Sequence, residues 1–227
     1  MQETAVPLVS VLMTAYNREN YIGDAIESAL ASTYKNLELL IVDDGSKDNT
    51  VSIAMNYAAK DPMVKVYVNE KNLGDYLNRN KAASYASGKY LKYLDSDDIM
   101  YPHCLEVMVS AMEKFPEAGL GLSAVSDPYK PYPVMLTPKE AYLEYFNGSS
   151  HFDRAPGSSI IKKEAFEKVG GFSGERMIGD YDLWLRLARE FPLVKLVPDL
   201  YWSRMHEGQE FQSSYAQEQY AALRKMV

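Results

Sequence analysis

Apolar residues come in short runs and in helical spacing that take turns along the first half of the chain. The runs at 8–14, 37–42, 64–68 and 90–94 are nearly continuous in apolarity and read as strands buried on both faces. Between them, Ile22, Ala25, Ile26, Ala29 and Leu30 fall at helical spacing, with Asn20 or a neighbour placed to cap. Val51, Ala54, Met55 and Ala58 mark a second helix, and Leu77, Ala83 and Ala86 a third that Gly88 closes. Pro102 suits the first turn of a fourth, with Leu105, Met108, Val109 and Met112 inward. Four alternations of strand and helix predict βαβ units and a mostly parallel α/β sheet flanked by helices. In such sheets ligands sit beyond the carboxyl ends of the strands.

The second half has a different texture. Residues 126–157 are rich in Pro, Tyr, Ser and Gly and read as an irregular insertion with one short helix over 139–146. A strand near 158–161, a short helix over 164–169 broken by Gly170-Gly171, a helix opening at Asp180, and a strand at 193–197 follow. The tail from Gln212 reads as helical. The chain is expected to be one domain over 1–227, with a nucleotide-binding half at 1–100 and an acceptor-binding half at 101–227.

Composition narrows the partners. With 227 residues and 47% apolar residues the chain can bury a core. A net charge of -7 disfavours a nucleic-acid partner. One cysteine, Cys104, leaves no internal disulfide and fits a reducing compartment. No apolar run reaches the roughly 18 residues of a membrane span, and no leader pattern precedes the first strand. The expected setting is cytoplasmic, with loose attachment to the inner membrane face left open.

Three predicted strand ends carry polar clusters: Thr14-Ala15-Tyr16-Asn17, Asp43-Asp44, and Asp95-Ser96-Asp97-Asp98. The last packs three carboxylates into four residues. Like charges this close call for a cation, and Mg²⁺ or Mn²⁺ takes one or two carboxylates plus phosphate oxygens. The bland alternative is ordinary turn chemistry with an Asp capping a helix. Asp43 or Asp44 can accept from a nucleobase N–H edge or from ribose hydroxyls, and Tyr16 can stack on a base. Arg79, on a helix with an apolar opposite face, is expected to point away from the core, where it can grip a phosphate. Asp180 stands where a helix begins, so it is either an N-cap or a catalytic carboxylate, with Asp182 and Glu175 nearby. His206 can ligate metal or touch phosphate. Neither Gly-x-Gly-x-x-Gly after the first strand nor a P-loop occurs, which excludes those two nucleotide-binding classes.

Three stretches carry a resemblance to a known family: "VSVLMTAYNRENYIGDAIESALASTYKNLELLIVDDGSKDNT", "NLGDYLNRNKAASYASGKYLKYLDSDD" and "GSSIIKKEAFEKVGGFSGERMIGDYDLWLRLA". Over about residues 8–207 the chain resembles the inverting family 2 glycosyltransferases, which have the glycosyltransferase A fold. The resemblance implies a nucleoside-diphosphate sugar donor, UDP-linked by preference, a glycan or lipid-linked acceptor, a bound Mn²⁺ or Mg²⁺, and a product such as a bacterial surface polysaccharide. It implies that Thr14, Ala15, Tyr16 and Asn17 line the nucleoside pocket with Asp43 and Asp44. Arg79 then meets the diphosphate, Asp97 faces ribose or sugar, and Asp98 holds the metal with Asp97 and Asp95 at hand. Asp180 is the implied general base. The family often has Glu-Asp there; this chain has Gly179-Asp180. A nucleotidyltransferase should carry a Gly-rich loop after the first strand, where this chain reads "AYNRENY". A binding module that has lost its chemistry is disfavoured by the joint presence of Arg79, Asp98 and Asp180.

Overall fold

The structure, a computed structural model, describes residues 6–123 and 131–206. The described residues form a sheet of eight strands flanked on both faces by helices. The elements are β1 (Val9–Ala15), α1 (Ile22–Leu30), β2 (Leu37–Asp43), α2 (Thr50–Ala58), β3 (Val64–Val68), α3 (Asp75–Tyr85), β4 (Tyr90–Tyr93) and β5 (Ile99–Met100). They continue with α4 (Cys104–Glu113), β6 (Leu120–Ser123), β7 (Val134–Leu136), α5 (Pro138–Phe146), β8 (Ser159–Lys162), α6 (Lys163–Lys168), α7 (Gly179–Glu190), β9 (Leu193–Leu196) and β10 (Tyr201–Trp202).

The strand order is β3-β2-β1-β4-β8-β6-β9-β7, with β5 and β10 forming a separate antiparallel pair. Strands β1 to β4 are mutually parallel where they pair. Strand β8 runs antiparallel between β4 and β6, so β6 and its parallel neighbour β9 again point the same way as β1. The carboxyl ends of six strands therefore share one edge of the sheet.

Alternation along β1 shows how the layers are built. Val9, Val11 and Met13 pack against α1, α2 and α4, while Leu12 packs against the side that carries α3, α5, α6 and α7. Buried on both faces, these strands read as unbroken apolar runs.

Four strands escape the hydrophobic pattern. β5 and β10 are two residues each, β6 is the short "LGLS", and β7 lies within the stretch expected to be irregular. The helix expected at 139–146 is α5, closed by a capping box between Thr137 and Glu140. The helical tail expected from Gln212 lies outside the described residues. Helix α1 starts at Tyr21 without a side-chain cap, so Asn20 does not serve there. Gly88 does not close α3, which ends at Tyr85. A Cβ on Gly88 would lie 2.7 Å from the Leu8 carbonyl and the Ser10 nitrogen; the residue is glycine because β1 passes this closely.

Helix α3 is turned relative to expectation. Leu77 is exposed, while Tyr76, Asn78, Arg79, Ala82 and Ala83 face inward. Arg79 is thus buried rather than directed away from the core. Its charge can sit inside because carboxylates meet it there.

At the opposite edge, Glu38 ties four segments together. It accepts from the Ser10 hydroxyl (2.7 Å), the Ser87 N–H and hydroxyl (2.8 and 2.7 Å) and Lys65 Nζ (2.9 Å). Burial opposes its ionisation, but the bonds from Ser87, Lys65 and Ser10 outweigh burial and bring its pKa down from 4.5 to about 2. A depressed pKa stabilises the fold above pH 4.5, by roughly 3 kcal/mol, and that contribution fades as the pH falls toward 2. Glu38→Gln is expected to lower the unfolding free energy at pH 7 by roughly 1–3 kcal/mol in urea titrations. Repeating the titrations down to pH 3 should show a shallower acid loss than in the parent; equal slopes would refute the assignment.

Candidate active site

At the shared carboxyl edge the first two turns are sewn together. Asn17 adopts a left-handed φ of 53°, donates its N–H to Ser46 Oγ (2.8 Å) and accepts from the Lys47 N–H (2.8 Å). Asp44 N–H donates to the Ala15 carbonyl (2.8 Å), and Arg18 N–H to Thr50 Oγ1 (2.7 Å). Thr14 is half-buried, Ala15 buried, and the Tyr16 ring exposed on this edge.

Asp43 and Asp44 are both buried and both already accept bonds. Asp43 takes the Gly45 and Ser46 N–H groups and the Ser46 hydroxyl, so it holds its own turn. Asp44 takes Asn69 Nδ2 (2.8 Å) and the N–H groups of Leu73 and Gly74 (2.8 and 2.9 Å). The Leu73 N–H also reaches the second oxygen (3.0 Å), so each carboxylate oxygen of Asp44 already accepts two bonds.

The aspartate loop after β4 splits its three carboxylates among four partners. Asp97 Oδ2 meets Arg18 Nε (2.9 Å) and His206 Nε2 (3.0 Å), whose ring stacks on Tyr21 at 4.6 Å. Asp95 Oδ1 meets Arg79 Nη1 at 2.8 Å. Asp98 is buried, and its Oδ1 accepts the Arg204 N–H (3.0 Å). Burial first, then the charge of Asp95, hold the Asp98 carboxyl well above its ordinary pKa against the opposing Arg204 bond and Lys92 charge. Lys92 itself is fully buried in β4, its ammonium donating to the Tyr93 and Gly157 carbonyls.

This donor set fits a hard cation. Asp98 offers a buried carboxylate whose charge is disfavoured, and Asp95 lies close enough to raise its pKa, a repulsion that a cation would relieve. Among the described residues no group of three or more His, Cys, Asp or Glu side chains forms a ready-made cage. The arrangement therefore matches an ion shared with phosphate oxygens rather than one wrapped by protein.

Asp180 lies in the first turn of α7 and accepts the Tyr181 N–H at 2.8 Å. Burial pushes its pKa up to about 6, against the Tyr181 bond, the charge of Arg79 and a bond from the Tyr76 hydroxyl. Arg79 links this carboxylate to the aspartate loop. Its guanidinium meets Asp75 (2.9 Å) and Asp95, lies 5.7 Å from the Tyr93 ring centre, and is felt by Asp180. Burial works against that charge, yet Asp75 and Asp95 keep its pKa above the usual range.

The glycine before Asp180 has a steric cause. A Cβ on Gly179 would lie 2.7 Å from two ring carbons of Tyr76, which stacks on Phe172 at 5.0 Å. Tyr76 occupies the space that a glutamate at 179 would need. Sequence reasoning missed Tyr76, Arg18, Lys92 and Arg204. "KYLKYL" does place a lysine inside a buried strand, and that anomaly was the available signal for Lys92.

A mostly parallel sheet flanked by helices, ending in an acidic loop beside a buried arginine, has the glycosyltransferase A-type fold. The chain belongs to glycosyl transferase family 2, whose model matches residues 10–170. It is 31% identical over 98% of its length to an uncharacterized glycosyltransferase of Rickettsia typhi, RT0329, and covers 72% of that protein. A second Rickettsia relative, from Rickettsia prowazekii, is 31% identical over 89% of the chain, which spans 65% of it. Among solved structures, Staphylococcus aureus TarS 1-349 in complex with UDP-GlcNAc superposes with a TM-score of 0.75 at 21% identity, over 91% of this chain and 61% of that one. The mannosyltransferase PcManGT of Pyrobaculum calidifontis, in complex with GDP-Man and Mn²⁺, gives 0.67 at 21% identity, over 87% and 56%. Both confirm the fold. Among the described residues no helix is long and apolar enough to cross a membrane.

Gly179→Glu is expected to destabilise the protein by about 1–3 kcal/mol through overpacking against Tyr76. Pairing it with Tyr76→Ala should recover part of that loss in thermal unfolding. Strictly additive losses would show that the ring does not set the glycine.

Proposed function

We propose that the chain transfers a sugar from a UDP-sugar to an acceptor hydroxyl with inversion, with Asp180 as general base and with a divalent cation. The observation that carries this reading is the placement of the half-buried Asp180, with its pKa raised to about 6, across Arg79 from the aspartate loop. The UDP-GlcNAc held by TarS supports the choice of donor, and the Mn²⁺ of PcManGT the cation. Residues 1–100 form the donor half of a single domain and 101–227 the acceptor half.

Thr14, Ala15, Tyr16 and Asn17 line the nucleoside pocket, with Tyr16 as a stacking face. Asp43 fixes the turn beneath it, and Asp44 pairs with the base N–H edge by sharing an oxygen that already holds its loop. Asp97 faces ribose or sugar. Arg79 has five N–H donors, of which Asp75 and Asp95 take two, and stands on the diphosphate side. Asp98 holds the cation, with Asp95 and Asp97 at hand. When bound, the cation supplies neutralisation of charge on the diphosphate oxygens, an effect of several kcal/mol.

Asp180 accepts the proton of the acceptor hydroxyl as that oxygen bonds the anomeric carbon. The bond from that carbon to the diphosphate oxygen breaks with its electrons going to UDP. One displacement inverts the configuration and forms no covalent enzyme intermediate. The acceptor belongs to a glycan or a lipid-linked glycan, as in bacterial surface polysaccharide synthesis, with the protein acting at the inner membrane face.

Asp180→Asn should lower transfer by about 10²–10⁴-fold with UDP affinity retained, because only the base is lost. Transfer at the parent rate would refute the assignment. A general base works deprotonated, so the parent's kcat should rise with pH through about 6 and then level off. A flat profile from pH 5 to 8 contradicts that role. Calorimetry should show UDP binding tighter with Mn²⁺ than without, and Asp98→Ala should erase the difference. Equal affinities in the parent would remove the cation from the mechanism.

A further inference from the structure

A cleft of about 560 Å³ opens on the same sheet edge, on the β6 and β9 side of the aspartate loop. Tyr101 and Trp202 stand on its wall with 36% and 48% of their surface exposed, and Tyr201, Arg154, Asp153 and Asp199 complete its polar and aromatic lining. Its volume lies in the range of small-molecule sites, roughly 300–1,000 Å³. None of the nucleoside-side residues lines it.

The cleft adjoins the chemistry on two sides. Tyr201 feels the charges of Asp98 and Asp95, and Ser203 on the lining precedes Arg204, whose N–H holds Asp98. On the far side the Arg154 carbonyl accepts the Trp184 indole N–H at 2.7 Å, one helical turn along α7 from Asp180. The floor is built for closeness: a Cβ on Gly157 would lie 2.9 Å from the Tyr201 ring.

We propose that this cleft is the acceptor subsite and that it takes a neutral saccharide, one sugar ring lying against Trp202 and Tyr101. This rests on the reading of the chain as a sugar transferase. Exposed aromatic faces suit the C–H face of a pyranose. Carboxylates and guanidinium suit its hydroxyl groups: Asp153 and Asp199 accept, and Arg154 is a donor residue on the lining. Two carboxylates against Arg154 on the lining and Arg204, 5.3 Å from the Trp202 ring centre, leave no surplus of positive charge to hold a phosphate-bearing acceptor. The polar lining equally opposes the chain of a lipid, so a lipid-linked acceptor presents its sugar here.

Saturation-transfer NMR on the full chain tests this with neutral trisaccharides of glucose, galactose, mannose and N-acetylglucosamine, against a glycerol phosphate trimer. The expected result is transfer to at least one neutral trisaccharide and none to the phosphate trimer. Trp202→Ala should weaken that affinity about tenfold and Trp202→Phe should restore most of it. The exposed position of Trp202 lets both variants fold. Silence from every neutral sugar, binding of the phosphate trimer instead, or unchanged affinity in Trp202→Ala each overturns the proposal. UDP titrated into the same samples separates the two readings. Failure of UDP to bind defeats the transferase mechanism, whereas UDP binding without sugar binding defeats only this subsite.

Discussion

A guanidinium inside the protein makes the carboxylate-rich edge of the sheet tenable. Arg79 is buried and stands between Asp75 and Asp95, with Asp180 in range of its charge. Unpaired charges there would repel and lose hydration at once. A buried ion pair is a weak source of net stability but a strong constraint on geometry, since removing one partner strands the other. Arg79 spaces α3, the aspartate loop and the start of α7 against one another. The turning of α3 follows from this: the helix buries Arg79 and leaves Leu77 in water, against simple hydrophobic order.

The carboxylates of this edge resemble one another in sequence and do different work. Asp43 and Asp44 accept backbone and amide N–H groups and fix loops. Asp97 lies between two cationic or ionisable side chains from distant segments, Arg18 and His206. Asp95 completes the pair with Arg79. Only Asp98 is left buried with repulsion from its neighbour unanswered by a side-chain cation in contact with it. That is the position which the proposed function gives to a cation from solution.

Much of the architecture could be read from the chain because both faces of β1, β2 and β4 are buried. Their apolar runs are long, and the polar ends stand out. The second half was less legible. Strand β8 enters between β4 and β6 from far along the chain, and β5 and β10 are too short to show a period. The clustering of polar residues at strand ends was visible, whereas their pairing was not: Arg18 and Asp97 are 79 positions apart, and Arg204 and Asp98 are 106. Arg79 was misplaced because an arginine on an amphipathic helix is ordinarily solvated, and its partners come from another segment. Tyr76 and Gly179 carry meaning only as a pair, which no local pattern reveals.

That pair bears on the two aspartates of raised pKa, the buried Asp98 and the half-buried Asp180. Burial raises the pKa of both Asp98 and Asp180. At Asp98 the shift is a debt that a bound cation cancels, since a cation in contact restores the ionised form. At Asp180 Arg79 is a neighbouring charge, opposing burial together with the Tyr76 hydroxyl and the Tyr181 N–H, so the shift stays moderate. A glutamate at 179 would bring a second carboxylate beside Asp180, and like charges raise a pKa further. Glycine admits the Tyr76 ring instead, and its hydroxyl donates to Asp180. The departure from the Glu-Asp pattern thus replaces a repelling neighbour with a donating one and keeps the carboxylate ionised at neutral pH, as the base role proposed for it requires.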